Sequence, residues 1–141
     1  MPDTDSLKSL HTTLIDAEKG YDTAIADAEA SDMKATFGAL RALHAKAHAD
    51  VHAILLAKGE RPDESGSFLS LVHKTVISVR SAVAGLDRSS LPSFVDGEER
   101  IVGAYDQALA DVGASDPASE TLRKDRDALV AAISEMRAKA A

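Results

Sequence analysis

Three histidines recur at four-residue intervals in the first half of the chain, at His44, His48 and His52. In an α-helix this spacing places the imidazole rings on successive turns, where two rings four residues apart can bind one metal ion. His44 lies between Leu40 and Val51 and points toward the core, whereas His52 rotates outward. The alternative is a core histidine hydrogen-bonded to a neighbouring helix, beside more exposed ones.

A glutamate in the second half of the chain occupies an apolar position. Glu98 falls among Phe94, Ile101 and Tyr105, where helical periodicity calls for an apolar side chain. A buried glutamate requires a partner. That partner could be a metal ion, a histidine, a tyrosine hydroxyl or, as a structural ion pair, Arg126.

A second carboxylate, Glu18, lies at the margin of the first apolar stripe. It follows Leu14 by one turn and precedes Tyr21 by one turn. Its alternative role is that of a boundary carboxylate in a surface ion pair. His11, on the same predicted helix, is expected to face the boundary or solvent.

The composition favours helices, because alanine is abundant and aromatic residues make up only 4% of the chain. The first helix is expected to begin near Thr4 to Ser6, whose side chains can accept hydrogen bonds from its first N–H groups. Gly59 and Gly113 are expected to end two helices, while Pro92 and Pro117 lie near the start of two others. The predicted helices span about 5–30, 32–58, 67–85, 91–112 and 117–139.

A short internal similarity suggests how these helices are arranged. Residues 21–27 (YDTAIAD) resemble residues 105–111 (YDQALAD), and each copy precedes a turn and another long helix. This pattern predicts a four-helix bundle built from two antiparallel helical hairpins. A crossover containing the shorter helix 67–85 would then span the bundle, a distance of roughly 35–40 Å.

The order of several motifs resembles a known family. The motifs are Glu18-Lys19-Gly20-Tyr21, Gly66-Ser67 followed by His73-Lys74, and Gly97-Glu98 leading into Tyr105-Asp106-Gln107-Ala108-Leu109. In this order and spacing, the sequence resembles the small, uncharacterised ferritin-like bacterial proteins that are grouped as a domain of unknown function. The resemblance covers most of the chain. It implies a ferritin-like four-helix bundle, distantly related to ferritins and rubrerythrins, and it implies no activity.

The ligand set of ferritin-like di-iron proteins is incomplete in this sequence. Those proteins use two Glu-x-x-His pairs, and this chain contains none. Ferritin-like connectivity would place Glu18, His44, His48 and Glu98 near mid-bundle, with Tyr21 and Tyr105 nearby. The last helix offers only Asp125 and Arg126 at that level, and a cation there opposes a two-metal centre. The sequence therefore predicts at most one divalent ion, and its small inward residues leave no room for haem.

Charge and composition exclude several classes of function. Lys and Arg total 16 against 23 Asp and Glu, and the formal charge of −7 opposes binding to nucleic acid. The chain has no cysteine, which excludes disulfides, iron–sulfur clusters and thiolate zinc sites. A polar N-terminus and short apolar runs predict neither a membrane span nor a signal peptide. We therefore expect one cytoplasmic domain over residues 1–141.

Three hypotheses about function remain open. No phosphate-binding loop or nucleophile arrangement is present, which favours a non-enzymatic bundle with a structural, stress-related or partner-binding role, including self-association. The alternative is a protein that binds iron, manganese or zinc, or a degenerate iron oxidase, through the four predicted ligands. A helical adaptor would instead expose an apolar patch around Phe68, Leu71 and Val72.

Overall fold

The computed structural model describes residues 4–28, 31–62 and 90–140, which form four α-helices and no β-strand. This confirms the prediction of an all-α protein. None of these four helices combines the length and the hydropathy that a membrane span needs. The predicted helix 67–85, the patch at Phe68, Leu71 and Val72, and the motifs Gly66-Ser67 and His73-Lys74 lie outside the described residues. In chain order the helices are α1 (Asp5–Asp27), α2 (Ser31–Ala57), α3 (Leu91–Val112) and α4 (Ala118–Ala140).

The helix ends follow the predicted glycines and prolines. Gly59 and Gly113 have φ values of 82° and 83°, a left-handed conformation that glycine adopts without a Cβ clash. After α2, the Glu60 N–H donates to the Leu55 carbonyl at 2.9 Å, which satisfies one of the last carbonyls of the helix. Pro92 lies in the first turn of α3, where its missing N–H costs nothing.

Helices α1 and α4 differ in their N-terminal caps. At α4, the Asp116 carboxylate accepts a hydrogen bond from the Ala118 N–H at 2.9 Å and caps the helix. At α1 the predicted side-chain cap is wrong. The Thr4 hydroxyl donates instead to Glu60 at 3.1 Å, and the Ser6 hydroxyl donates to Asp111. These two side chains therefore connect the start of α1 to the ends of neighbouring segments.

The core lies between the four helices, with α1 packed against α2 and α3, and α4 packed against the same two. Its largest fully buried side chains include Tyr21, Phe37, Phe94 and Tyr105. Small residues of the core, Ala24, Ala28, Ala47 and Ala108, are all buried, which allows the helices to approach closely. Burial of this apolar surface is the main term that stabilises the bundle.

Contacts between helices fix the order in which residues face one another. Along α1 the residue numbers rise from His11 through Glu18 to Asp22, while their α2 partners fall from His52 through His48 to Arg41. Between α1 and α3, Ser6 contacts Asp111 and Tyr21 contacts Glu98, so the order is again reversed. The same holds between α2 and α4, where Lys46 pairs with Asp125 and Lys58 with Asp116. These pairings fix the level along the bundle at which each candidate functional residue lies.

Candidate functional site

The four predicted metal ligands lie in two separate hydrogen-bonded groups. His48 Nδ1 lies 2.8 Å from Glu18 Oε2, and the two side chains retain 19% and 16% of their exposure. His44 Nε2 lies 2.9 Å from each carboxylate oxygen of Glu98, and both side chains are completely buried. The structure therefore brings Glu18 to His48 and Glu98 to His44, without joining the four around one point.

Glu98 and His44 belong to a buried network that connects three helices. The Tyr21 hydroxyl of α1 donates to Glu98 Oε1 of α3 at 2.5 Å, and His44 of α2 contacts the same carboxylate. Since a carboxylate only accepts hydrogen bonds, His44 donates from Nε2. The rings of Phe37 and Phe94 pack against Tyr21 with centroids 5.9 and 5.7 Å away. An apolar shell of this kind strengthens each hydrogen bond inside it.

Burial also fixes the protonation of the tyrosine in this network. Desolvation first, and then the charge and hydrogen bond of Glu98, raise the pKa of Tyr21 well above its usual value. Tyr21 therefore stays a phenol that donates to Glu98. The other ring nitrogen of His44, Nδ1, is buried and has no hydrogen-bond partner among the described residues.

The structural ion pair between Glu98 and Arg126, one of the alternatives that the sequence left open, does not form. Arg126 lies at the surface, where its Nε donates to Asp106 at 2.5 Å, and its side chain remains 30% exposed. A solvated carboxylate one helix away satisfies the guanidinium without the desolvation that burial beside Glu98 would require. The partners of Glu98 are the tyrosine and the histidine, two of the alternatives that the sequence left open.

His48, the partner of Glu18, also belongs to a cluster of three histidines at the α1–α2 interface. One ligand atom each from His11, His48 and His52 lies within 4.8 Å of the others. His11 Nε2 and His52 Nδ1 are 3.2 Å apart, and the rings of His11 and His48 meet edge to face with centroids 4.7 Å apart. Among the residues that the structure describes, this is the one group of three or more histidines and carboxylates so closely spaced.

The expectation that His11 faces the boundary or solvent is wrong, because it is only 1% exposed. The sequence held a signal for its burial. His11 follows Leu7 by four residues and precedes Leu14 by three, so it continues the stripe that Glu18 and Tyr21 extend. His52 lies four residues after His48 and is half-buried at the same interface. The side chain of His52 is directed toward α1, where its Nδ1 contacts His11 Nε2.

A further polar cluster lies between α2 and α4. Lys46 Nζ is 2.8 Å from Asp50 Oδ2 and 3.0 Å from Asp125 Oδ1. Burial first, and then the hydrogen bond with Asp50, raise the pKa of Asp125 to about 6, although Lys46 acts in the opposite direction. For Asp50, burial opposes ionisation, but its hydrogen bonds to Asp125 and Lys46 lower its pKa overall.

The raised pKa of Asp125 predicts a pH-dependent contribution to stability. The folded state holds this proton more tightly than the unfolded chain, so the contribution is fully present below pH 3.8 and is lost as the pH rises through about 6. Asp125→Asn removes it, and we expect the variant to gain stability relative to the unmodified protein across that interval. Urea unfolding at several pH values measures this gain. Asp127→Asn, an exposed carboxylate on the same helix, is the control, and a constant difference for Asp125→Asn contradicts the prediction.

Fold and site together define an all-α bundle with a buried Tyr–Glu–His network and an adjacent histidine cluster. A family model described as a domain of unknown function (DUF2383) matches residues 3–111, and the chain belongs to this family. No curated protein and no solved structure matches the chain.

Proposed function

We propose that this chain binds one divalent transition-metal ion between α1 and α2, with His11, His48 and His52 as ligands. The observation that carries the proposal is the approach of their three ligand atoms to within 4.8 Å of one another. Nitrogen ligands about 2.0–2.1 Å from a tetrahedral ion lie about 3.4 Å apart. His11 and His52 are already at 3.2 Å, so side-chain adjustments alone would complete the site.

The donor set determines the class of ion. Imidazole nitrogen suits zinc, copper, nickel and iron, whereas magnesium and calcium prefer oxygen ligands. Three neutral imidazoles also bring none of the negative charge that carboxylate ligands provide to magnesium and calcium. Zn²⁺ and Co²⁺ are therefore the preferred probes, and Mg²⁺ is the matched negative control.

Of the four ligands predicted by the sequence, the proposal retains only His48. It leaves out His44 and Glu98, because both nitrogen–oxygen contacts of that pair, together with the Tyr21 hydroxyl, already satisfy the carboxylate inside the core. A metal ion there would have to displace these hydrogen bonds in a site with no exposure. His48 and His52 are half-buried, which gives an ion a route from solvent to the cluster.

Metal titration of protein purified without a His tag tests the proposal. We expect one Zn²⁺ or Co²⁺ per chain and no binding of Mg²⁺. At a free ion concentration 100 times Kd, the free energy of unfolding should rise by about 2.7 kcal/mol. For a chain of this length, that corresponds to a Tm increase of about 5–10 °C. Neither bound metal nor a Tm shift would contradict the proposal and favour a structural or partner-binding role.

We further propose the ferritin-like arrangement for the single domain 1–141. Residue order is reversed between α1 and α2 and again between α1 and α3, which gives α2 and α3 the same direction. A parallel pair of this kind is what two helical hairpins joined by a crossover require, and it supports the proposal. An experimental structure tests this connectivity, and antiparallel α2 and α3 would contradict it.

A further inference from the structure

We infer that Glu18 is a positioning residue that orients His48 for the metal ion without binding the ion itself. The inference rests on the proposed function. Its basis is the contact between Glu18 Oε2 and His48 Nδ1, at 2.8 Å. A carboxylate can only accept, so the imidazole donates from Nδ1 and its proton is held there.

This hydrogen bond selects the nitrogen that is available to metal. A neutral imidazole carries one proton, and with that proton on Nδ1 the lone pair lies on Nε2. In protein metal sites, a carboxylate on the far nitrogen of a ligating histidine fixes its tautomer and ring orientation and makes it a better donor. Glu18 stands in that relation to His48.

The position of Glu18 fits an outer role better than that of a fourth ligand. It does not belong to the group of side chains whose ligand atoms all lie within 4.8 Å of one another. Glu18 follows His11 by seven residues, or two turns of α1, and the histidine that it contacts is His48. The helix thus supplies one ligand, His11, and the group that orients another.

Burial makes the contact effective. The side chains of Glu18 and His48 are 16% and 19% exposed, so water competes for this hydrogen bond less than it does at the surface. A pair on the same two helices provides a comparison. Asp22 contacts Arg41 at 2.6 Å with side chains 56% and 42% exposed, and it touches none of the three histidines.

The tautomer of His48 in the metal-free protein is the first test. Imidazole nitrogen chemical shifts, recorded by NMR at mildly alkaline pH, distinguish a proton on Nδ1 from one on Nε2. We expect the Nδ1–H form of His48 in the unmodified chain and in Asp22→Asn. In Glu18→Ala the Nε2–H form should gain population. An Nε2–H tautomer in the unmodified chain, or no change in Glu18→Ala, overturns the inference whether or not metal binds.

Metal affinity is the second test, measured by competition with a chelator for Zn²⁺ and Co²⁺. We expect Glu18→Gln and Glu18→Ala to weaken binding by about 10- to 100-fold, with the stoichiometry and the visible spectrum of bound Co²⁺ unchanged. Asp22→Asn should bind within about twofold of the unmodified chain. Unchanged affinity in both Glu18 variants overturns the inference, as does a Co²⁺ spectrum that reports a lost ligand. Failure of the unmodified chain to bind either ion overturns the proposed function as well.

Discussion

Glu98→Ala is expected to lower the free energy of unfolding by about 3–5 kcal/mol. Glu98 is completely buried, and it accepts hydrogen bonds from the Tyr21 hydroxyl and the His44 ring. Truncation leaves both donors in the core without their acceptor and opens a cavity between α1, α2 and α3. Both effects lower the free energy of unfolding, so the loss should be several times that of an ordinary surface substitution.

Urea unfolding of Glu98→Ala and Glu99→Ala measures this difference. Glu99 is the adjacent residue, its side chain is 48% exposed and it pairs with Arg137 at the surface. Its replacement should change stability by no more than about 0.5 kcal/mol. If Glu98→Ala does not fold, Glu98→Gln serves in its place, because it keeps the volume and one acceptor and should lose about 1–3 kcal/mol. Equal stabilities for the position 98 and position 99 variants would rule out a structural role for the network.

The sequence was sufficient to predict the four described helices and the anomaly at Glu98. Gly59 and Gly113 end helices because few other residues adopt positive φ, and this preference acts locally, without tertiary contacts. Glu98 stands out for a related reason. A charge within an apolar period of one helix is visible from that helix alone. Such features are encoded over one or two turns, which is the range that periodicity describes.

The partner of Glu98 could not be predicted in the same way. Periodicity gives the face of a helix but neither its neighbours nor its axial level, so Arg126 and His44 were both possible partners. The structure places Arg126 beside Asp106 and brings His44 to Glu98. A guanidinium has five N–H donors to satisfy, whereas an imidazole ring has two nitrogens, so burying Arg126 beside Glu98 would remove more hydration than burying His44 does.

The histidine cluster depends on the same missing information. His48 and His52 share a face of α2, but only the register between α1 and α2 brings His11 to them. The contacts of Asp22 with Arg41 and of Glu18 with His48 fix that register. The sequence contained each of these residues without the alignment that makes them neighbours.

His52→Ala is expected to weaken Zn²⁺ and Co²⁺ binding by more than about 100-fold, beyond the 10- to 100-fold typical of outer residues. The substitution removes one of three nitrogen ligands outright. His52 is half-buried and lies at the edge of the interface, so the cost to folding should stay near 1 kcal/mol. Chelator competition gives the affinity, and thermal unfolding of the metal-free protein verifies that the bundle is intact.

Glu98→Gln separates the histidine cluster from the ligand set that the sequence alone predicted. If the ion is held by His11, His48 and His52, this variant should bind Zn²⁺ within about threefold of the unmodified chain, because none of the three contacts Glu98. If His44 and Glu98 hold the ion, loss of the carboxylate should abolish binding, whereas His52→Ala should bind normally. The two variants thus give opposite results for the two sites. A protein that retains metal in His52→Ala and loses it in Glu98→Gln would move the site into the core, onto the carboxylate that now joins Tyr21 to His44.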